Sequence, residues 1–308
     1  MSFWKDTGMS KAGNIAPVIL IGRPNMRLRP SARDKVPHSF LRVVSQYSLF
    51  QNTVLRALAF QAPIIVCHES YHHLVQQQLD DIKVKPRVII LEPEYKGSAA
   101  AIALAAFYLK NQGERMLILP NDHVLEGDGF ETCVYDALDK IENHIVLLGV
   151  QSKRGESEYG YITCAEENGG SRQVIGFVEK SNAKSVQKLF NNPNCFWNTG
   201  IFLSRPRVFL DELRNFEPET YKFCQRAFYA GQEDGSIYTL AGADFLKILP
   251  MSVDHAILQM CQKAYMYEMP VSLGDLGGWP QIIKLKVKSI FRREKCIGNE
   301  SRPHKRAS

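Results

Sequence analysis

Two aspartates stand where a carboxylate could do chemistry. Asp122 follows the apolar run Met116-Leu-Ile-Leu119 within Pro120-Asn-Asp-His123, just past a strand end, where it can reach into a crevice. Asp275 sits in Leu273-Gly-Asp-Leu-Gly-Gly-Trp279, between glycines that let a ligand or another backbone approach closely. If they converge, the pair can hold Mg2+ between phosphate oxygens, because Mg2+ takes oxygen ligands and usually keeps one or two carboxylates plus phosphates. Singly, each has a plainer reading as a turn or helix-cap residue. The segment after the first apolar run, residues 21–40, carries Arg23, Arg27, Arg29, Arg33 and Lys35, a set that suits a polyanion such as a triphosphate. Its plainer reading is a solvated basic loop. His68-Glu-Ser-Tyr-His72 has the spacing of zinc peptidases: on one helix both imidazoles share a face and Glu69 can serve as general base. The segment opens directly after a strand and has no third ligand nearby, so zinc is set aside there.

The elements that must position these residues are short β-branched runs alternating with helical spacing. Strands are expected at residues 17–21, 63–67, 87–91, 116–119 and 145–150, and helices near 48–59, 69–80, 98–111 and 129–140. Runs that are apolar on both faces and separated by helices read as a parallel sheet buried between helical layers. Beyond residue 150 the rhythm changes. Runs at 159–163 and 173–178 bracket a polar, Gly-rich turn at 166–170, which suggests an antiparallel insertion, and helical patterns return at 182–190, 206–214 and 252–263. Ligands of open α/β sheets sit beyond the carboxyl ends of the strands, so the segments to search are 22–40, 68–71, 92–98 and 120–123.

Composition narrows the class. The 308 residues carry 38 Lys/Arg against 32 Asp/Glu and are 45% hydrophobic, as expected of a soluble globular chain with one large or two small domains. Eight basic and two acidic side chains in residues 1–42, and nine and two in 284–308, make two basic ends around an acidic middle. The longest low-polarity run, 98–109, falls short of the roughly twenty residues a bilayer-crossing helix needs and is expected to be a buried helix. No apolar stretch with a cleavage site opens the chain, so no secretory signal is expected. Seven cysteines without a C-x-x-C pair argue against a disulfide framework and a structural zinc, and a reducing cytoplasm is the simplest compartment.

Read together, these segments resemble the mannose-1-phosphate guanylyltransferases, a family of sugar-phosphate nucleotidyltransferases, from about Ala16 to Leu285. Arg27-Leu-Arg-Pro-Ser-Ala-Arg33 and Pro37-His-Ser-Phe40 keep the spacing of the family signature G-G-x-G-T-R-L-x-P-L-S-R followed by P-K-x-F. Ile90-Leu-Glu-Pro93 with the alanine-rich run 99–106, then Pro120-Asn-Asp-His123, Tyr159-Gly-Tyr-Ile162, Phe177-Val-Glu-Lys180, Trp197-Asn-Thr-Gly200, Ser252-Val-Asp-His-Ala256 and Asp275-Leu-Gly-Gly-Trp279 match further blocks in order. The resemblance implies a Rossmann-like α/β nucleotidyltransferase fold, a mostly parallel sheet between helices with an antiparallel insertion in the second half. It implies one domain over 16–285, which leaves an extension at 1–15 and a tail at 286–308 that its basic composition leads one to expect disordered. The implied reaction is attack of mannose 1-phosphate on the α-phosphate of GTP, giving GDP-mannose and pyrophosphate. Asp122 and Asp275 would hold Mg2+ and count, with Arg27, His38 and Lys180, as catalytic. Gly22, Arg23, Arg27, Glu92, Ser98 and Asp122 would contact the nucleotide, and Gly160, Glu179, Lys180 and Asn198 the sugar phosphate. No nucleic-acid partner or transmembrane segment is implied, and a homo-oligomer is compatible with it. With 29 residues after Trp279, the isomerase domain that some members carry is not expected.

The departures fall on the nucleotide side. Arg23, Pro24 and Asn25 stand among the signature glycines, Met26 replaces the threonine, His38 replaces the signature lysine, and Lys96-Gly-Ser98 replaces Arg-Asn-Thr. Backbone N–H donors for phosphate are thereby lost. Two functions compete: a working transferase in which Arg23 and Arg29 add side-chain charge, or a regulatory homologue that binds a sugar phosphate or sugar nucleotide without turnover. For the tail, contact with a polyanion or a membrane surface is the alternative to a disordered end.

Overall fold

The computed structural model describes residues 14–23, 37–42, 45–151, 160–178 and 192–274. Arg27, Arg29, Glu179, Lys180, Asp275, the expected helix at 182–190 and the basic tail lie outside the described residues. The strands are β1 (Ile15–Leu20), β2 (Ile64–His68), β3 (Val88–Glu92), β4 (Arg115–Pro120), β5 (Val124–Glu126), β6 (Ile145–Gln151), β7 (Tyr161–Cys164), β8 (Arg172–Val178), β9 (Cys195–Ser204), β10 (Gln232–Asp234), β11 (Ile237–Thr239), β12 (Ala264–Glu268) and β13 (Ser272–Gly274). The helices are α1 (Leu49–Ala57), α2 (His72–Asp81), α3 (Ser98–Leu109), α4 (Phe130–Asp136), α5 (Pro206–Phe216), α6 (Pro218–Tyr229) and α7 (Gly242–Phe245).

Eleven strands form one sheet in the order β10-β11-β3-β2-β1-β4-β9-β6-β12-β8-β7, and β5 pairs with β13 apart from it. β3, β2, β1 and β4 run parallel, with Val18 opposite Ile64 on one side and Ile118 on the other. β9 then enters antiparallel between β4 and β6, with β12 parallel to β6 and the β7–β8 hairpin antiparallel beyond it. β7 returns to β9, Tyr161 opposite Trp197, so β9, β6, β12, β8 and β7 close a circuit of paired strands. The first half is thus the expected parallel sheet, and the antiparallel pairings gather in the second.

Both faces of the sheet are buried because the strands carry apolar side chains at successive positions, and period two sends them to opposite sides. Val18, Ile64, Val66 and Ile118 pack with α3, α5 and α6, while Ile19, Ile65, Leu117 and Leu119 pack with α1, α2 and α4. Burying each such side chain is worth roughly 1.5–3 kcal/mol. The run at 98–109 forms α3, buried almost all round. Its alanines let it lie close to the sheet on one side and to α5 and α6 on the other.

A polar network fixes the other layer. Ser48 and Gln51 form a capping box at the start of α1, each side chain accepting from the other's backbone N–H at 3.1 and 3.0 Å. Gln51 Nε2 donates to Gln78 O at 2.9 Å, and Gln78 Nε2 donates to Phe40 O at 3.0 Å. These buried bonds hold the 3-10 turn His38–Phe40 against α1 and α2.

Two expected helices are shorter than their patterns. Residues 129–140 form α4 and then tighten into a 3-10 turn, Ala137–Asp139. Of residues 252–263, Asp254–Leu258 forms a π-helical turn. At the start of this segment the Met251 N–H goes to Lys96 O at 3.0 Å and the Val253 N–H to Ser98 Oγ at 2.9 Å, strapping it across the start of α3.

Candidate active site

The strand order reverses between β1 and β4, since β2 and β3 lie on one side of β1 and β4 on the other. A crevice at the carboxyl ends is the geometric result. A cavity of about 230 Å³ opens there, lined by Gly22 after β1, Glu92 at the end of β3, Ser98 at the start of α3, Asp122 after β4, and Gly200 and Asp254 on the far wall. Gly22, Glu92, Ser98 and Asp122, expected from separate segments, therefore share one cavity. Among the described residues lining it there is no Lys or Arg.

Asp122 is 39% exposed, with His38 Nε2 at 3.5 Å from Oδ2 and His123 Nε2 at 3.9 Å from Oδ1. Its burial pushes the carboxyl up, but the His38 hydrogen bond and the charges of His123 and His38 outweigh that and hold it below the usual carboxylate range. Asp122 is therefore ionised at neutral pH. Burial also holds His123 below the ordinary imidazole value. His38 is set by the turn that carries it: buried Asn121 donates from Nδ2 to Ser39 Oγ at 2.7 Å, clamping the end of β4 to the 38–40 turn. Nδ1 of His38, Nδ1 of His123 and Oε1 of Glu92 are buried without a hydrogen-bond partner. Orphaned polar groups cost free energy that a polar ligand recovers.

On the far wall, the Gly160 carbonyl accepts from the Asn198 N–H at 2.9 Å, which joins the lead-in of β7 to β9. Asn198 Nδ2 donates to Asp254 Oδ1 at 2.9 Å, and its Oδ1 accepts from the Gly200 N–H at 3.0 Å. Asn198 is engaged by protein on both ends of its amide, and Asp254 and Gly200 present the wall to the cavity. Asp254 is not among the expected site residues, although it stands in the matched block Ser252-Val-Asp-His-Ala256. Asn121, the neighbour of an expected residue, is missed in the same way.

Glu92 is 1% exposed at the end of β3, and desolvation pushes its carboxyl up to about 8. A carboxyl raised in the folded state gives stability that is complete below its unfolded value, near 4.5, and is lost as pH rises towards 8. Glu92→Gln removes that dependence. Urea unfolding should find the variant gaining on the parent by roughly 3 kcal/mol between about pH 5 and about pH 8. An identical stability difference at both pH values would mean Glu92 has an ordinary carboxyl.

Arg23 does not line the Asp122 cavity. Its guanidinium lies 4.8 Å over the Tyr95 ring, in an adjoining pocket of about 290 Å³ that includes Gly22, His68, Ser70, Tyr71 and Glu94. The two cavities share Ile21, Gly22 and Tyr95. The His68–His72 segment is not one helix: His68 ends β2, Glu69–Tyr71 form a 3-10 turn and His72 opens α2. Among the described residues no group of three His, Cys, Asp or Glu side chains could hold a metal ion, and no helix is long and apolar enough to cross a membrane. The six described cysteines are buried and unpaired, and burial pushes thiols such as Cys195 and Cys261 up to about 11.

Comparison with known proteins places the chain. A family model described as Nucleotidyl transferase matches residues 16–279. The chain is 33% identical over 281 residues to the alginate biosynthesis protein AlgA of Pseudomonas putida, covering 88% of this chain and 58% of the relative. It is 32% identical over 285 residues to the mannose-1-phosphate guanylyltransferase RfbM of Salmonella typhimurium, covering 90% of this chain and 60% of that protein. The chain thus spans about three fifths of the length of these relatives. The crystal structure named as mannose-1-phosphate geranyltransferase from Thermus thermophilus superposes with a TM-score of 0.78 at 21% identity, covering 88% of this chain and 79% of that one, and shares the fold.

Proposed function

Because the chain belongs to the nucleotidyl transferase family, we propose that it transfers GMP from GTP to mannose 1-phosphate, giving GDP-mannose and pyrophosphate for polysaccharide synthesis. The observation that carries this reading is the ionised Asp122 at the carboxyl end of β4, facing a cavity at the point where the strand order reverses. In the reaction a phosphate oxygen of the sugar phosphate bonds to the α-phosphorus while the bond from that phosphorus to the bridging oxygen breaks, and pyrophosphate carries the charge away. No protein nucleophile is required, so the chain's work is placing the reactants in line and offsetting charge. Asp122 supplies a hard anionic oxygen of the kind Mg2+ takes, with Asp275 as the second carboxylate. Bound there, a divalent ion would neutralise charge on the phosphates. His38 holds the Asp122 carboxylate, and Asn198 holds Asp254 on the wall assigned to the sugar.

Purified protein with GTP, mannose 1-phosphate and Mg2+ should release pyrophosphate only when all three are present. His38 at the signature-lysine position, turned to Asp122, favours a second reading as a sugar-phosphate or sugar-nucleotide binding homologue. Calorimetry that finds GDP-mannose binding together with an inert release assay would select that second reading.

A further inference from the structure

His38 is 8% exposed, and its ring is turned to the chemistry rather than to solvent, with Nε2 at 3.5 Å from Asp122 Oδ2. A charge-assisted N–H···O contact spans roughly 2.7–2.9 Å, so this one is long. Two donors about 2.0–2.2 Å from one ion lie about 3.4 Å apart in a tetrahedral array and about 3 Å apart at a right angle. The His38–Asp122 spacing is close to the first of these, whereas His123 Nε2, at 3.9 Å from Oδ1, lies outside both. The pair is also held in place from behind. Asn121 Nδ2 donates to Ser39 Oγ at 2.7 Å, and these two buried residues are the chain neighbours of Asp122 and His38. From its other side the turn is fixed by Gln78 Nε2, which donates to Phe40 O at 3.0 Å, and by the Leu41 N–H, which donates to His38 O at 2.9 Å. The separation of the two donors is therefore set by buried bonds around them, as preorganised ligands require. Nδ1 of His38 is buried without a hydrogen-bond partner, so the ring proton can sit there without breaking a protein bond, and Nε2 can present its lone pair.

We propose that His38 Nε2 is a ligand of the divalent ion at Asp122, and that this nitrogen shifts the preference of the site from Mg2+ towards borderline ions of the Co2+ and Zn2+ kind. The inference rests on the nucleotidyl-transfer reading for the presence of an ion. Carboxylate and phosphate oxygens suit Mg2+, whereas imidazole suits the later first-row ions. A lysine ammonium at this position has three donors and no acceptor, and cannot ligate. Histidine there exchanges a group that offsets phosphate charge directly for one that holds the ion. No third His, Cys, Asp or Glu joins His38 and Asp122 among the described residues, so phosphate oxygens would complete the coordination.

The test titrates the full chain, without nucleotide, with Co2+ by calorimetry and by the visible absorption of the ion, and measures Mg2+ by competition against bound Co2+. The parent should bind Co2+ with an absorption that reports a nitrogen ligand. His38→Gln should weaken Co2+ about tenfold or more, remove that feature and leave Mg2+ within about twofold. His38→Lys, a second variant, should do the same. Asp122→Asn should weaken both ions, and His123→Gln should leave the Co2+-to-Mg2+ ratio as in the parent. A parent that binds no Co2+, equal changes for the two ions in both His38 variants, Co2+ binding that survives Asp122→Asn, or a ratio that follows His123 instead would each overturn the assignment. Pyrophosphate release judges the transferase reading separately. His38-dependent Co2+ binding without release keeps the ion site and removes the transferase, whereas release whose metal preference is untouched by His38→Gln does the reverse.

Discussion

Asp122→Asn is expected to slow pyrophosphate release from GTP and mannose 1-phosphate by about three orders of magnitude. Asparagine is nearly isosteric and can still accept from His38, so the clamp from Asn121 to Ser39 and the placement of the 38–40 turn survive. What disappears is the negative charge. His38 and His123 stand beside Asp122, and against the pull of burial the hydrogen bond from His38 with their charges holds its carboxyl below the usual carboxylate range. The loss should appear in kcat, remain at saturating Mg2+, and leave the melting temperature within about 5 °C of the parent. Asp122→Glu, which keeps the charge but lengthens the side chain, should recover part of the rate. A variant within about tenfold of the parent would mean that the cavity at the end of β4 is not where the reaction occurs.

How far the sequence could be read depended on whether an element's signal is local. The strands beside the cavity announce themselves because both faces are buried, leaving five apolar runs with β1, β2, β3, β4 and β6 at their expected places. Ser98 to Leu109 declares a buried helix for the same reason. β9 does not, although it is the ten-residue strand between β4 and β6: polar Asn198 and Thr199 interrupt its alternation, and its register against β6 shifts between Leu147 and Gly149. Nothing nearby in sequence shows that Thr199 Oγ1 is satisfied by Leu148 O at 2.5 Å. Within the site, Asp122 could be found from its place after a strand. Asp254 could not, because its role depends on Asn198, 56 residues away, and on a strap across α3.

The placement of Arg23 changes what the uneven charge means. From sequence, Arg23 belongs with the other basic residues of 21–40 as one replacement for lost phosphate-binding N–H groups. In the structure it serves a neighbouring pocket and an aromatic ring. Charge on the phosphates would then fall to Arg27, Arg29 and Lys180, all outside the described residues. Arg23→Lys keeps the charge but loses the planar guanidinium, and it should therefore alter nucleotide affinity more than turnover.

Gly97→Ala should be the most damaging glycine-to-alanine change among the described residues. Gly97 precedes α3 with φ at +88°, and a Cβ there would lie 2.1 Å from Met251 O, 2.7 Å from Met251 C and 2.8 Å from Met251 N. These are backbone atoms and have no rotamer to change. They are also bonded in place: the Met251 N–H goes to Lys96 O, and Met251 O accepts from the Ala99 N–H at 3.3 Å. Relief requires breaking the strap, which unseats Val253 and the cavity wall at Asp254 with it. The expected cost is above about 3 kcal/mol, adding left-handed strain to overpacking. Gly113→Ala separates the two terms, because Gly113 shares the positive φ, at +69°, but a Cβ there meets nothing within 4 Å. It should lose only about 1 kcal/mol. Urea midpoints measured side by side decide the matter. If the two variants are equally destabilised, the collision with Met251 carries no weight, and the strap is not what holds the segment at 251–254 over the start of α3.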